Sequence, residues 1–204
     1  MPEYPPQPWH LTGQAYLSTW QVPAAELPRV PSEVDPIVVL GRALVVTAWI
    51  DYQQGGQLSY HELLACVAVR GPGTTATVTE IWVDSEASLA GGRELWGIPK
   101  EPAGFEFHHG RAFTGTAATG SDWIATAAFV PRSGPPVSTP SRFTVTQSAG
   151  GVVRRSPVRA RGRPRLATAS WNLNPDGPLG YLAGRKPLFS AQLKDFDLHF
   201  GARE

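Results

Sequence analysis

Lys100 is the residue of this chain placed to do chemistry. It follows an apolar, backbone-tight run in the segment Gly92-Arg93-Glu94-Leu95-Trp96-Gly97-Ile98-Pro99-Lys100-Glu101. A lysine after a turn commonly snorkels, laying its stem on apolar surface and its ammonium in water. The alternative is that Pro99 fixes the approach and the ammonium sits in an apolar pocket. Burial then disfavours the charged form, and a neutral amine can attack a carbonyl and form a Schiff base.

Other familiar signals lead less far. His61-Glu62 begins like a zinc-protease helix, but alanine stands at position 65 where the second histidine belongs. His108-His109 are adjacent rather than spaced for one ion and read as a hairpin end, so no metal is expected. Gly71-Pro72-Gly73-Thr74-Thr75-Ala76 resembles a phosphate loop only superficially, because a strand follows it and not a helix. Arg154, Arg155, Arg159, Arg161, Arg163 and Arg165 crowd a short span, and Arg161-Gly162-Arg163-Pro164 has the core of a minor-groove hook. The simpler reading is a solvated hairpin whose arginines line one strand face or rim a pocket.

Composition narrows the class. Eighteen basic residues oppose 17 acidic ones among 204, so no global charge points to nucleic acid or an anionic membrane. Twenty-one glycines and 20 prolines imply many turns and short strands. Cys66 is the single cysteine, which excludes an internal disulfide. No stretch reaches the roughly 18 apolar residues of a membrane helix, and the N-terminal residues lack the pattern of a secretory signal. A cytoplasmic location is the expectation.

The elements that must position Lys100 are mostly strands. Residues 1–8 read as an irregular arm, and residues 9–204 as one domain. Strands are expected at 15–20, 43–50, 60–69, 76–83, 104–108, 111–119, 123–130, 142–147, 165–171 and 192–200. A short helical turn is expected at 22–27 and a bend at Gly41-Arg42. Asp84-Ser85 offers an N-cap for a helix through Ala90, with Gly91-Gly92 as its stop. In the last strand Phe196, Leu198 and Phe200 alternate with Asp195, Asp197 and His199, the period of a half-buried strand. The class is therefore mostly β, α+β in the broad sense with few short helices, as a barrel or sandwich.

The run Arg93 to Lys100, with Trp9, Trp20-Gln21-Val22-Pro23, Ile50-Asp51-Tyr52, Tyr60-His61-Glu62-Leu63 and Val83-Asp84-Ser85 before it, resembles the acetoacetate decarboxylase superfamily. The resemblance implies a double-layered β-barrel or cone, commonly a homo-oligomer, acting on a small keto acid without a cofactor. It implies that Lys100 matches the Schiff-base lysine and Glu62 a pocket carboxylate that moves protons. Arg93, from the same signature, would bind substrate together with Trp96 and Ile98, and the last two would keep the amine dry. By alignment the family's pocket arginine falls on Gln14, its other carboxylate on Thr47, and its second lysine on Glu101. Neighbours on an extended chain point to opposite faces, so Glu101 is expected to turn away from Lys100. A barrel that only binds small molecules, and a nucleic-acid-binding protein using its arginines, are the two rival expectations.

Overall fold

A computed structural model describes residues 3–120, 122–134 and 136–201. The first strand, β1 (Trp9–Pro23), is followed by a single 3-10 turn at Ala24–Glu26. Next come β2 (Val38–Val39), β3 (Arg42–Gln53), β4 (Tyr60–Ala68) and β5 (Thr75–Val83). The helix α1 (Glu86–Trp96) leads to β6 (Lys100–Pro102) and to β7 (Gly104–His108), β8 (Phe113–Thr119) and β9 (Asp122–Pro131). Two long strands, β10 (Thr139–Ala149) and β11 (Val152–Leu173), precede β12 (Phe189–Phe200). No helix among the described residues is long and apolar enough to cross a membrane.

Strand pairing runs β10-β5-β4-β3-β1-β12-β11-β9-β8-β7, and β10 also pairs with β11. Seven strands therefore close on themselves, while β9, β8 and β7 leave the circuit at β11 and form a second layer. Two apolar cores result. The inner one takes Leu11, Tyr52, Tyr60, Val78, Val145, Val158 and Phe196, at least one from each strand of the ring. The outer one joins Trp20, Trp49, Leu63 and Trp82 to Phe113, Ile124 and Phe129 of the second layer. Alternation along one strand feeds both: on β4, Tyr60 and Glu62 face inward, Leu63 and Ala65 outward. The double-layered, mostly β architecture expected from the resemblance is the one observed.

Three elements differ from expectation. Helix α1 continues past Gly91-Gly92 and stops at Gly97, whose φ of 69° makes it the left-handed cap, with its N–H on the Arg93 carbonyl. The paired glycines serve close approach instead. A Cβ on Gly91 would meet the Trp9 ring at 2.5 Å, and one on Gly92 would meet Cε of Lys100 at 2.7 Å. The strand expected at 165–171 is the end of a 22-residue strand that includes the whole arginine cluster. Arg161 to Pro164 thus lie within a strand: Arg161 and Gly162 pair with β10, Arg161, Arg163 and Pro164 with β12 across an irregularity at Gly162, and Gly162 is buried under Leu193 and Phe196. Arg155, Arg159 and Arg161 are exposed while Ser156, Val158 and Ala160 point inward, as the strand-face reading had it. Finally, the bend at Gly41-Arg42 is a hairpin tip, with β2 paired to β3 and Leu40 fully exposed.

Candidate active site

Lys100 is brought to the inner core by a crossover. Strand β5 ends at Val83, and Ser85 caps α1 by accepting the Ser88 N–H at 3.2 Å. After Gly97 the chain turns through Ile98-Pro99 and lays β6 parallel to β5, Lys100 beside Ile81. Parallel neighbours require such a connection, because a hairpin cannot join them. The start of the same β5 edge pairs with β10, so β6 and α1 fill the part of the ring that β10 leaves open.

Lys100 is 4 % exposed and Glu62 3 %. The ammonium Nζ donates to Glu62 Oε2 at 2.7 Å, to Ser88 Oγ at 2.8 Å and to the Tyr60 hydroxyl at 3.4 Å, matching its three protons. It also lies 5.1 Å from the centre of the Tyr60 ring. Glu62 accepts in addition from the hydroxyls of Tyr52, at 3.2 Å on Oε1, and Tyr60, at 3.5 Å on Oε2. Burial, then the negative charge of Glu62, pushes both phenols well above their ordinary range, so they remain protonated donors. The result is a desolvated amine and carboxylate in a shared web of exchangeable protons, from which a proton can be passed without water.

Of the residues expected to bind substrate, Trp96 and Ile98 are buried in the inner core. Trp96 packs edge-on to Trp9 and Phe200. Arg93 is placed otherwise: its guanidinium donates to the Lys100 carbonyl at 2.7 Å and to Glu101 at 2.9 Å. Glu101 is exposed and turned away from the buried amine, as alternation required. Neither aligned position stands beside Lys100. Thr47 lies on the outer face, held by the Trp20 indole N–H at 2.9 Å, and the inward residue next to it on β3 is Ala48. Gln14 bonds with Gln192 at 3.0 Å and Tyr16 at 3.5 Å, again on the outer side. A one-residue change of register exchanges the faces of a strand, which is why alignment by type misplaces such residues.

Sequence reasoning gave no role to Ser88, Tyr52 or Tyr60. The tyrosines carried a signal: Tyr60 shares the parity of Glu62 on one strand, and Tyr52 lies opposite Tyr60 across the loop that joins β3 to β4. Ser88 had only its place in the first turn after a cap. A groove of about 490 Å³ at the start of α1 is lined in part by Val83, Ser85, Leu89, Pro102 and Ala103, and neither Lys100 nor Glu62 lines it.

The family model described as Acetoacetate decarboxylase (ADC) matches residues 2–173. "Acetoacetate decarboxylase 3" of Mesorhizobium japonicum is 30% identical over 135 residues, 61% of this chain and 49% of that protein. The chain thus spans about half the length of this curated relative. Among solved structures, acetoacetate decarboxylase from Legionella pneumophila superposes with a TM-score of 0.71 at 18% identity, covering 98% of this chain and 87% of that one. The enduracididine biosynthesis enzyme MppR, complexed with the condensation product of pyruvate and imidazole 4-carboxaldehyde, gives 0.66 at 16%, covering 97% and 88%. An acetoacetate decarboxylase-like enzyme from Sphingomonas wittichii RW1 gives 0.64 at 16%, covering 97% and 92%. These likenesses and the matched family model lead to one statement of kinship: the chain belongs to the acetoacetate decarboxylase family.

Proposed function

We propose that this protein is a lysine-dependent carbon–carbon lyase acting on a small keto acid, with Lys100 as the nucleophile. The supporting observation is the buried amine hydrogen-bonded at 2.7 Å to a buried carboxylate. Entry of substrate moves the Nζ proton to Glu62, and the free amine adds to the ketone carbon. Proton return from Glu62 to the carbinolamine oxygen expels water and leaves a protonated imine. That cation draws the electrons of the adjacent C–C bond, carbon dioxide departs, and an enamine remains. Glu62, reprotonated from solvent, protonates its carbon, and hydrolysis of the resulting imine frees the amine. The same enamine could instead add to an aldehyde, a course favoured by the aldehyde-derived product bound to the structurally similar MppR.

In this reading Trp96 and Ile98 exclude water, and Ser88 and the two tyrosines hold the amine and carboxylate in register. Arg93 is a positioning residue that fixes the Lys100 backbone rather than touching substrate. Borohydride reduction with a panel of keto acids tests the assignment: wild type should gain a stable mass on Lys100, and Lys100→Ala should gain none. Glu101→Lys should leave trapping unchanged, because that side chain faces solvent. If every keto acid leaves the wild-type mass unaltered, the reading gives way to that of a silent binder.

A further inference from the structure

We propose that His10, Asp197 and His199 form a binding site for one borderline divalent metal ion of the zinc type, on the outer seam between β1 and β12. His10 and His199 are direct cross-strand partners, and their rings stack with centroids 4.7 Å apart and planes 26° apart. Asp197, two residues before His199 on the same strand face, places Oδ2 2.8 Å from His10 Nε2 and Oδ1 3.5 Å from His199 Nδ1. One donor atom from each residue lies within 4.8 Å of the others.

The orientation of Asp197 is a second, independent observation. Arg161 is its cross-strand partner on β11, yet among the described residues the carboxylate makes no ion pair with that guanidinium. It turns instead to the two imidazoles. Asp195 on the same strand does pair with its arginine, Arg163. The backbone beneath the three residues is regular: pairing is unbroken from Trp9–Phe200 to Gly13–Phe196, and the irregularity begins only beyond Gly13. The side-chain oxygen Oε1 of Gln57 accepts the His10 backbone N–H at 2.6 Å and fixes that end of the strand.

Two neutral imidazole nitrogens and one carboxylate oxygen suit zinc and its neighbours in the transition series, and not magnesium or calcium, which take oxygen ligands. Binding replaces the hydrogen bond between His10 Nε2 and Asp197 by the ion, the neutral ring taking the tautomer with its proton on Nδ1. The fourth position stays open to water or an external ligand. Since β1 is the first strand of the ring and β12 the last, the ion would join the two ends of the chain's circuit.

Zinc chloride titrated into the untagged full chain, after removal of metals by chelator, tests the site. One equivalent should bind saturably and raise the melting temperature. Each of His10→Asn, His199→Asn and Asp197→Asn should weaken binding by more than about tenfold, since the loss of partners one shell further out costs that much. Copper(II) in place of zinc should show two coupled nitrogens by electron paramagnetic resonance, and one in either histidine variant. Equal melting temperatures of the variants and the wild type in chelator establish that folding is intact. Absence of saturable binding overturns the proposal, and so does binding of unchanged affinity in the variants.

Discussion

The two faces of the ring bury polar groups in opposite manners. On the outer face Thr47 accepts the Trp20 indole proton, a fixed pairing between groups that do not titrate. Around it Tyr16 stacks on Phe113 at 3.8 Å, and Trp49 lies 5.9 Å from Trp171, in an aromatic wall between the layers. On the inner face an ion pair, two phenols and a serine hydroxyl converge, every donor able to exchange its proton. A buried ion pair gains little net stability over well-packed apolar residues of similar size. One face holds the layers together; the other buries titratable groups at a stability cost.

Stability and trapping should therefore separate by face. Phe129→Ala, on the outer face, should lower unfolding free energy by about 3–5 kcal/mol through the cavity it leaves, with keto-acid trapping per folded molecule unchanged. Lys100→Met leaves the Glu62 charge uncompensated and should cost a similar ~3–5 kcal/mol, while Lys100→Met with Glu62→Leu should recover most of that loss. Denaturant titration checks both, and a double variant as unstable as the single one would erase the distinction.

A smaller effect is expected at the contact between helix and amine. Gly92→Ala puts a methyl against the Lys100 stem, at a cost of about 1–3 kcal/mol for overpacking. Trapping should slow by a larger factor than the stability change explains, because the amine is displaced from Glu62. Equal trapping rates would show that this approach positions nothing.

The smallest effect concerns pH. Glu80, on β5, is pushed up to about 7 by burial, against the hydrogen bonds it accepts from Thr79 and Tyr181. Its folded state holds the proton more tightly than the unfolded chain does, so its contribution is full below about pH 4.5 and is lost as pH rises through 7. Glu80→Gln should flatten the decline of melting temperature across that window while leaving trapping untouched. A slope unchanged by the substitution would remove Glu80 from the account.

Much of this organisation was legible in residue order. The β-branched runs of β3 and β5 and the apolar run of β4 announce themselves, and Pro99-Lys100 marks the proposed nucleophile because an apolar, conformationally tight run leads into it. The resemblance to a family named Glu62. Other features were not local. The parallel pairing of β5 with β10 joins residues some 70 positions apart, so no short window displays it. The length of β11 was hidden by its arginines and prolines, which read as a solvated hairpin although alternate positions are buried. The end of α1 was misplaced because glycine serves two purposes: it stops helices, and it lets neighbours come near. Here the first purpose belongs to Gly97 and the second to Gly91 and Gly92.

Those two glycines have a dynamic consequence. Each lowers the intrinsic preference of a helix interior by about 1 kcal/mol relative to alanine. The 11 residues of α1 are therefore held down by their neighbours more than by their own propensity. The part of the enclosure that contributes Ser88 to the amine is thus among the easiest to lift by local fluctuation, whereas the paired strands beneath it are not. Amide hydrogens of α1 should exchange ahead of those in β3 and β4, and the rate of that opening sets an upper limit on how often a ligand can reach the buried nitrogen.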